Sequence, residues 1–187
     1  MTDEIVKRRT VLPGALLEEV ADEIQVAEAD VYEFLAFTLA EEYYALPLRT
    51  VREILKMQPV TEVPRALADV LGIISVRGLI TTVVDLRRRL RMPEQPITKH
   101  TRILLVDQGE EVLGLLVDSV LSVFRLRQDE VELAAAAGGD TADYVLGIGR
   151  PTGGRSGTRA GGRIGERGLE REDDILILLD PKALLKR

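Results

Sequence analysis

Residues 72–87, with the sequence GIISVRGLITTVVDLR, constrain the fold more than any other part of this chain. Two aliphatic and β-branched runs flank Arg77 and Gly78, and such runs favour pleated, largely buried strands. Gly78 permits the left-handed backbone that a tight corner requires. The segment therefore predicts a buried hairpin with one arginine at its apex, which suits binding by another protein better than a reaction centre.

Composition sets limits on the class of protein. The 187 residues are 45% hydrophobic, which is enough to build a core, and the absence of cysteine excludes disulfides, thiolate metal sites and a cysteine nucleophile. The N-terminus lacks the apolar core of a signal peptide. No apolar run approaches the roughly 20 residues of a membrane helix. We expect a soluble protein that is neither secreted nor inserted in a membrane.

Charge is distributed unevenly. The net charge is -6, and residues 1–33 hold nine acidic and three basic residues, which gives 3 minus 9, or -6, so the remainder is balanced. Residues 150–168 carry five arginines and one glutamate. Neither sign dominates enough to predict a nucleic-acid-binding protein.

Residues 1–31 form an acidic extension ahead of the strand-rich region. Apolar residues recur there at helical spacing, which predicts a short amphipathic helix. The alternative is a mobile acidic segment, because so short a helix is marginal unless it docks on something. The apolar positions are Leu16, Leu17, Val20 and Ile24.

Strand patterns dominate from residue 32 onward. Residues 34–39 and 43–48 predict a hairpin, residues 49–57 fit either a strand or one helical turn, and residues 66–71 suggest a short helix that Gly72 ends. The charged connection 87–101 is predicted to cross between two lobes. Strands at 103–106 and 112–117 then echo the first half, which indicates a weak duplication of architecture.

The last third of the chain contains a break in the pattern. Residues 150–173 are rich in glycine and arginine and poor in apolar residues, which predicts a flexible insertion. Four arginines spaced by four residues leave contact with nucleic acid or an acidic partner open, although stacking aromatics are missing. A strand at 175–179 follows, with Asp180 as the cap of a final helix that begins at Pro181. The four arginines are Arg155, Arg159, Arg163 and Arg167.

Catalytic chemistry has little support in the sequence. His100 stands alone beside Lys99, so a surface histidine is favoured over a metal ligand or a general base. No serine has the context of a nucleophile elbow, and the glycine-rich segment lacks the ending of a phosphate loop. We therefore expect neither an enzyme, nor a cofactor, nor a metal site.

Three charged residues lie at the ends of apolar runs. Asp85 and Asp118 are interpreted as caps of turns rather than as an acid pair. Arg77 either extends into water or pairs with a carboxylate, and the sequence favours neither.

The order of the sequence blocks resembles the CheW-like domain of bacterial chemotaxis coupling proteins. The blocks are VREIL, then GII and VRG with VDLR closing the hairpin, then GLLVDSV, and finally ILILLD, over residues 32–187 with 150–173 as an insertion. The resemblance implies a mainly β fold of two SH3-like, five-stranded β-barrel lobes with short helices. It also implies a protein without catalytic activity, located in the cytoplasm and recruited to receptor arrays.

The resemblance also implies partners and contact residues. The family joins methyl-accepting chemoreceptor signalling tips to the regulatory domain of the histidine kinase CheA, and contact with nucleic acid is not part of that role. Ser75 and Thr82 depart from the asparagine and proline that the family commonly has there. The positions implied to bind partners are Val51, Glu53, Ile54, Gly72, Arg77, Gly78, Val117 and Asp118.

The hypothesis from the sequence is therefore an adaptor in chemotaxis signal transduction. Val51 and Ile54 are expected to form an apolar groove wall, and Glu53 and Arg77 to fix the register of a partner. The alternative keeps the fold but serves a non-flagellar motility or gene-regulatory chemosensory pathway.

Overall fold

A computed structural model describes residues 31–107, 111–133, 142–151 and 175–185. The predicted N-terminal helix lies outside these residues, as does nearly all of the insertion at 150–173. Within the described ranges the chain is mainly β, and no helix there is both long and apolar enough to cross a membrane.

The described ranges contain eleven strands and two short α-helices. They are β1 (Val31–Leu39), β2 (Glu42–Pro47), β3 (Val51–Lys56), β4 (Val70–Val76), β5 (Leu79–Asp85), α1 (Leu86–Arg89), β6 (Arg102–Asp107), β7 (Val112–Val117), β8 (Ser119–Arg127), β9 (Val131–Leu133), β10 (Val145–Gly149), β11 (Leu176–Leu179) and α2 (Pro181–Leu185).

The strands form two mixed sheets. In the described part of the chain, one sheet has six strands in the order β8-β1-β2-β11-β10-β9, and we call it the terminal lobe because both ends of the fold contribute to it. The other has five strands in the order β3-β6-β7-β5-β4, and we call it the central lobe. The predicted mainly β fold with two lobes is confirmed, and the expected five strands describe the central lobe, while the terminal lobe has six.

The two lobes do not correspond to the first and second halves of the sequence. The central lobe is inserted between β2 and β8 of the terminal lobe, and β7, expected in the second lobe, pairs in parallel with β5. The connection 87–101 joins β5 to β6 inside the central lobe instead of crossing between lobes. Parallel neighbours cannot be joined by a tight turn, so this longer route through β6 connects them.

The backbone resolves three local predictions. Residues 49–57 contain the strand β3, and the hairpin of β1 and β2 is confirmed. The helix predicted at 66–71 is absent: Val70 donates its N–H to the carbonyl of Leu67 in a turn and then begins β4. Pairing with β5 outweighs the local helical preference.

Apolar side chains form three clusters in the described residues. One lies inside the central lobe and contains Ile74, Val83 and Ile103, and a second lies inside the terminal lobe around Phe34 and Leu126. The third takes side chains from both sheets and from both helices. We call it the shared core, and it holds the two lobes against each other.

The expected caps are present. Asp85 accepts the backbone N–H of Arg87 at 2.9 Å at the start of α1, and Asp180 accepts that of Lys182 at 2.8 Å at the start of α2. Both assignments to capping are confirmed. His100 is exposed, as predicted.

Candidate protein-binding surface

The hairpin of β4 and β5 ends in a two-residue turn. Val76 pairs with Leu79, and between them Arg77 has φ of 50° and Gly78 has φ of 85°. Positive φ at both central residues is the mark of a type I′ turn, whose twist matches that of the flanking strands. The left-handed corner predicted at Gly78 is confirmed, and Arg77 adopts the same region despite its side chain.

The prediction that this hairpin is buried is wrong at its tip. Leu79 is 71% exposed and Ile80 is 76% exposed, whereas Thr81 and Val83 are buried. The parallel pairing of β7 with β5 begins only at Thr82, so the tip of β5 lacks this neighbouring strand. The continuous aliphatic run in the sequence gives no sign of where this pairing begins. Two large apolar side chains in contact with water at one turn are a common mark of a protein-binding site.

Arg77 both pairs with a carboxylate and extends into water, the two alternatives that the sequence left open. Its guanidinium donates to Glu53 Oε1 at 3.0 Å, yet the side chain remains 79% exposed. Glu53 lies on β3 and Arg77 at the end of β4, which are the two outer strands of the central-lobe sheet. The ion pair therefore joins opposite edges of the sheet, as expected where a sheet curls into a barrel.

A bulge determines which way the side chains of β3 face. The register shifts between Val51 and Glu53, so that Val51 pairs with Val106 and Ile54 pairs with Leu104. Both pairing partners belong to the shared core, which places Val51 and Ile54 on one face of β3. Val51 is half-buried and Ile54 is 38% exposed. Glu53 lies on the opposite face, towards the hairpin tip.

Gly72 acts inside the fold. Its φ is +149°, and a Cβ built on it would lie 2.3 Å from the carbonyl oxygen of Thr61. Thr61 and Ile73 exchange two backbone hydrogen bonds of 2.9 Å and 2.8 Å across this point. Glycine is therefore required for the close approach of the segment around Thr61 to β4, and it offers no side chain to a partner.

Val117 and Asp118 also belong to the interior and the lobe junction. Val117 is 1% exposed in the shared core. Asp118 accepts hydrogen bonds from Nε of Arg87 at 2.7 Å and from Nη2 of the same guanidinium, and also from the backbone N–H of Ala40 at 2.9 Å. The hydrogen bonds from Arg87 to Asp118 raise the pKa of the Arg87 guanidinium above its usual value.

The position of Asp118 explains what these bonds do. Arg87 lies on α1, in the central lobe. Ala40 lies in the turn between β1 and β2, in the terminal lobe. Ala40 and Glu41 both have positive φ, 52° and 73°, without a glycine between the strands. Asp118 thus ties the two lobes together and supports a turn that local preference disfavours. The sequence predicts a capping role for Asp118, but its pairing with Arg87 is not visible in the sequence.

The structure therefore brings together part of the predicted set. Arg77 and Gly78 lie at the hairpin tip with Leu79 and Ile80, two residues that the sequence did not single out. Glu53, on β3, contacts Arg77 there. We call these five residues the hairpin-tip surface. Among the described residues no group of three or more histidine, cysteine, aspartate or glutamate side chains is placed to hold a metal ion.

The ion pair at the tip is expected to contribute little to folding. A double-mutant cycle with Glu53→Ala and Arg77→Ala should give a coupling energy below about 1 kcal/mol, because exposed pairs are screened by solvent. Urea unfolding of the four proteins measures it. A coupling well above that value would place the pair in the folding core instead of on a binding surface.

Comparison with known proteins gives one consistent family. Residues 33–187 match the family model described as the CheW-like domain. The chain is 29% identical over 154 residues to the chemotaxis protein CheW of Klebsiella aerogenes, covering 82% of this chain and 81% of that protein. It is 35% identical over 100 residues to CheW of Bacillus subtilis, covering 54% of this chain and 64% of the relative.

A solved structure agrees in fold. The crystal structure of the scaffolding protein TtCheW from Thermoanaerobacter tengcongensis superposes with a TM-score of 0.67 at 25% sequence identity. The superposition covers 83% of this chain and 92% of that protein. The similarity therefore extends over both lobes.

Proposed function

The chain belongs to the CheW-like domain family, and from that premise we propose that it is a non-catalytic adaptor that couples methyl-accepting chemoreceptors to a CheA-type histidine kinase. Its partners are then the signalling tip of the receptor and the regulatory domain of the kinase. Such an adaptor works in the cytoplasm at receptor arrays. Its whole biochemistry is binding, with no cofactor.

The observation that carries this proposal is the exposed hairpin tip. Leu79 and Ile80 expose most of their apolar side chains to water at the end of a hairpin whose strands pair from Val70 and Val84 to Val76 and Leu79. Preformed apolar anchors cost little conformational entropy on binding, and a rim of charges sets orientation. Arg77 and Glu53 provide such a rim, because their ion pair leaves the guanidinium accessible.

Removing the apolar anchors should weaken binding without changing the fold. We expect the double substitution Leu79→Ser and Ile80→Ser to weaken the complex with the kinase regulatory domain or with the receptor tip at least tenfold, which is about 1.4 kcal/mol. Isothermal titration of each purified partner measures the effect. The melting temperature should stay close to that of the unchanged protein, since both side chains are already exposed.

Leu67 provides the matched control. It is 57% exposed in the same lobe, but it precedes β4 and therefore lies towards the opposite end of that strand from the tip. Leu67→Ser should bind both partners as the unchanged protein does. If the tip variant also binds both partners normally, the hairpin-tip surface is not the docking site, and if the unchanged protein binds neither, the adaptor proposal is wrong.

Charge at the tip should affect binding more than folding. Arg77→Ala and Glu53→Ala are each expected to weaken complex formation while the far-UV circular dichroism melt stays nearly unchanged, as for other exposed interface residues. Titration and melting of the same samples measure both properties. A large fall in melting temperature would show instead that the pair belongs to the core.

A further inference from the structure

The face of β3 that carries Ile54 ends at a concentration of positive charge away from the hairpin tip. Lys56 ends β3 and pairs directly with Arg102, the first residue of β6. Like charges opposite each other on neighbouring strands repel. The turn just before β6 adds Lys99 and His100, both exposed. We call Lys56, Lys99, His100 and Arg102 the basic corner.

No carboxylate of the described residues neutralises the basic corner. Arg102 donates from Nη1 to the backbone carbonyls of Lys99 and Thr101, each at 2.8 Å, and within the described ranges no carboxylate forms an ion pair with Lys56, Lys99, His100 or Arg102. Other exposed arginines on the sheets do have such partners: Arg52 pairs with Asp107, and Arg125 with Glu33. The basic corner therefore offers favourable electrostatic interactions to an acidic group.

Apolar surface lies beside this charge. Ile54 stands two residues before Lys56, on the same face of β3, and is 38% exposed. Ile97 precedes the turn that carries Lys99 and is 53% exposed. The chemistry that fits this surface is a peptide that alternates carboxylates with aliphatic side chains.

The chain itself contains such a peptide. Residues 10–30 carry six acidic residues and no basic residue, with Leu16, Leu17, Val20 and Ile24 between them. Outside residues 1–33 the chain has no net charge. The segment joins the fold at Val31, the first residue of β1, and at roughly 3.3–3.6 Å per residue it has ample length to reach any face of the domain.

We propose that residues 10–30 bind the basic corner of their own chain. The carboxylates meet Lys56, Lys99, His100 and Arg102, and the aliphatic side chains cover Ile54 and Ile97. The face of β3 that the segment would cover includes Ile54, which belongs to the set predicted to bind partners. The contact is made by the isolated chain and does not depend on the identity of any partner.

Paramagnetic relaxation tests the contact in the full-length chain. The sequence has no cysteine, so Ala21→Cys gives a single site for a nitroxide spin label without changing charge. We expect the label to reduce the amide signals of Lys56, Lys99, His100 and Arg102 more than those of the hairpin tip. The loss should disappear when salt is raised from 0.15 to 1 M, which shortens the Debye length from about 8 to about 3 Å.

A charge reversal at the corner separates this contact from general attraction. Lys56→Glu with Lys99→Glu should abolish the signal loss, because both side chains are exposed and have no carboxylate partner in the described residues. The matched control, Arg127→Glu with Arg150→Glu, makes the same change in net charge on the terminal lobe and should leave the loss in place. Dispersed amide spectra show that each variant is folded.

Four results of these experiments would overturn the proposal, and a mixing experiment can give a fifth. They are an absence of signal loss at the corner, equal loss over the whole surface, loss that persists after reversal of Lys56 and Lys99, and loss confined to residues 152–174. Mixing spin-labelled unenriched chain with isotope-enriched unlabelled chain provides the last check. Loss at the corner in that mixture would assign the contact to a second copy and contradict binding within one chain.

Discussion

Asp118→Ala is expected to destabilise the protein by about 3 kcal/mol, the lower end of the range of roughly 3–5 for breaking a buried ion pair. The Arg87 side chain is 8% exposed and would remain charged without its carboxylate. The backbone N–H of Ala40 would lose its acceptor in the same change. We take the lower end because the Asp118 side chain is 32% exposed, so water can replace part of what is lost.

Urea unfolding at neutral pH measures this effect. The control is Asp129→Ala, which removes an aspartate from an exposed pair with Arg127 and should cost less than about 1 kcal/mol. Adding Arg87→Met to Asp118→Ala should recover much of the loss, because an apolar side chain needs no counter-charge. If Asp118→Ala unfolds at the same urea concentration as Asp129→Ala, the lobe junction does not rest on this ion pair.

Gly72→Ala is expected to destabilise the central lobe by at least about 2 kcal/mol, the combined effect of backbone strain and a forced displacement. The new Cβ would lie 2.3 Å from the carbonyl oxygen of Thr61, a backbone atom that moves only if the local pairing opens. The two hydrogen bonds between Thr61 and Ile73 would then lengthen or break. Thermal unfolding followed by circular dichroism measures the loss.

Gly78→Ala separates the two causes. Gly78 also has positive φ, 85°, but a Cβ there would meet nothing within 4 Å. The free energy of unfolding of Gly78→Ala should fall only by the cost of the backbone conformation, about 1 kcal/mol. Equal losses in the two variants would mean that the contact with Thr61 is unimportant, whereas a larger loss in Gly72→Ala supports the close approach.

The sequence predicts most of the fold because its strands carry local signals. The hairpin of β4 and β5 and the caps of both short helices follow from residue types at fixed spacing. The arrangement of the lobes does not follow, because the pairing of β5 with β7 and of β2 with β11 joins residues far apart in the chain. A pattern within a short window cannot determine which distant strand becomes the neighbour.

The residues of the candidate site also divide into those that the sequence predicts and those that it does not. Glu53, Arg77 and Gly78 were predicted and belong to the hairpin-tip surface, where charge and a turn are both visible in the sequence. Leu79 and Ile80 were predicted to be buried, and this prediction is wrong. Their exposure depends on where the pairing of β7 with β5 begins, which a local pattern does not indicate. Gly72 and Val117 were assigned to partner binding from the family resemblance, and in the structure both have internal packing roles.

The measurement that tests the adaptor most directly is sedimentation of the three components together. An adaptor must hold the receptor tip and the kinase regulatory domain at the same time, so analytical ultracentrifugation should show a complex of all three that is absent from any mixture of two. The Leu79→Ser and Ile80→Ser double variant should fail to form it, while Leu67→Ser should form it. Binding of only one partner at a time, or an intact ternary complex with the double variant, would contradict the account.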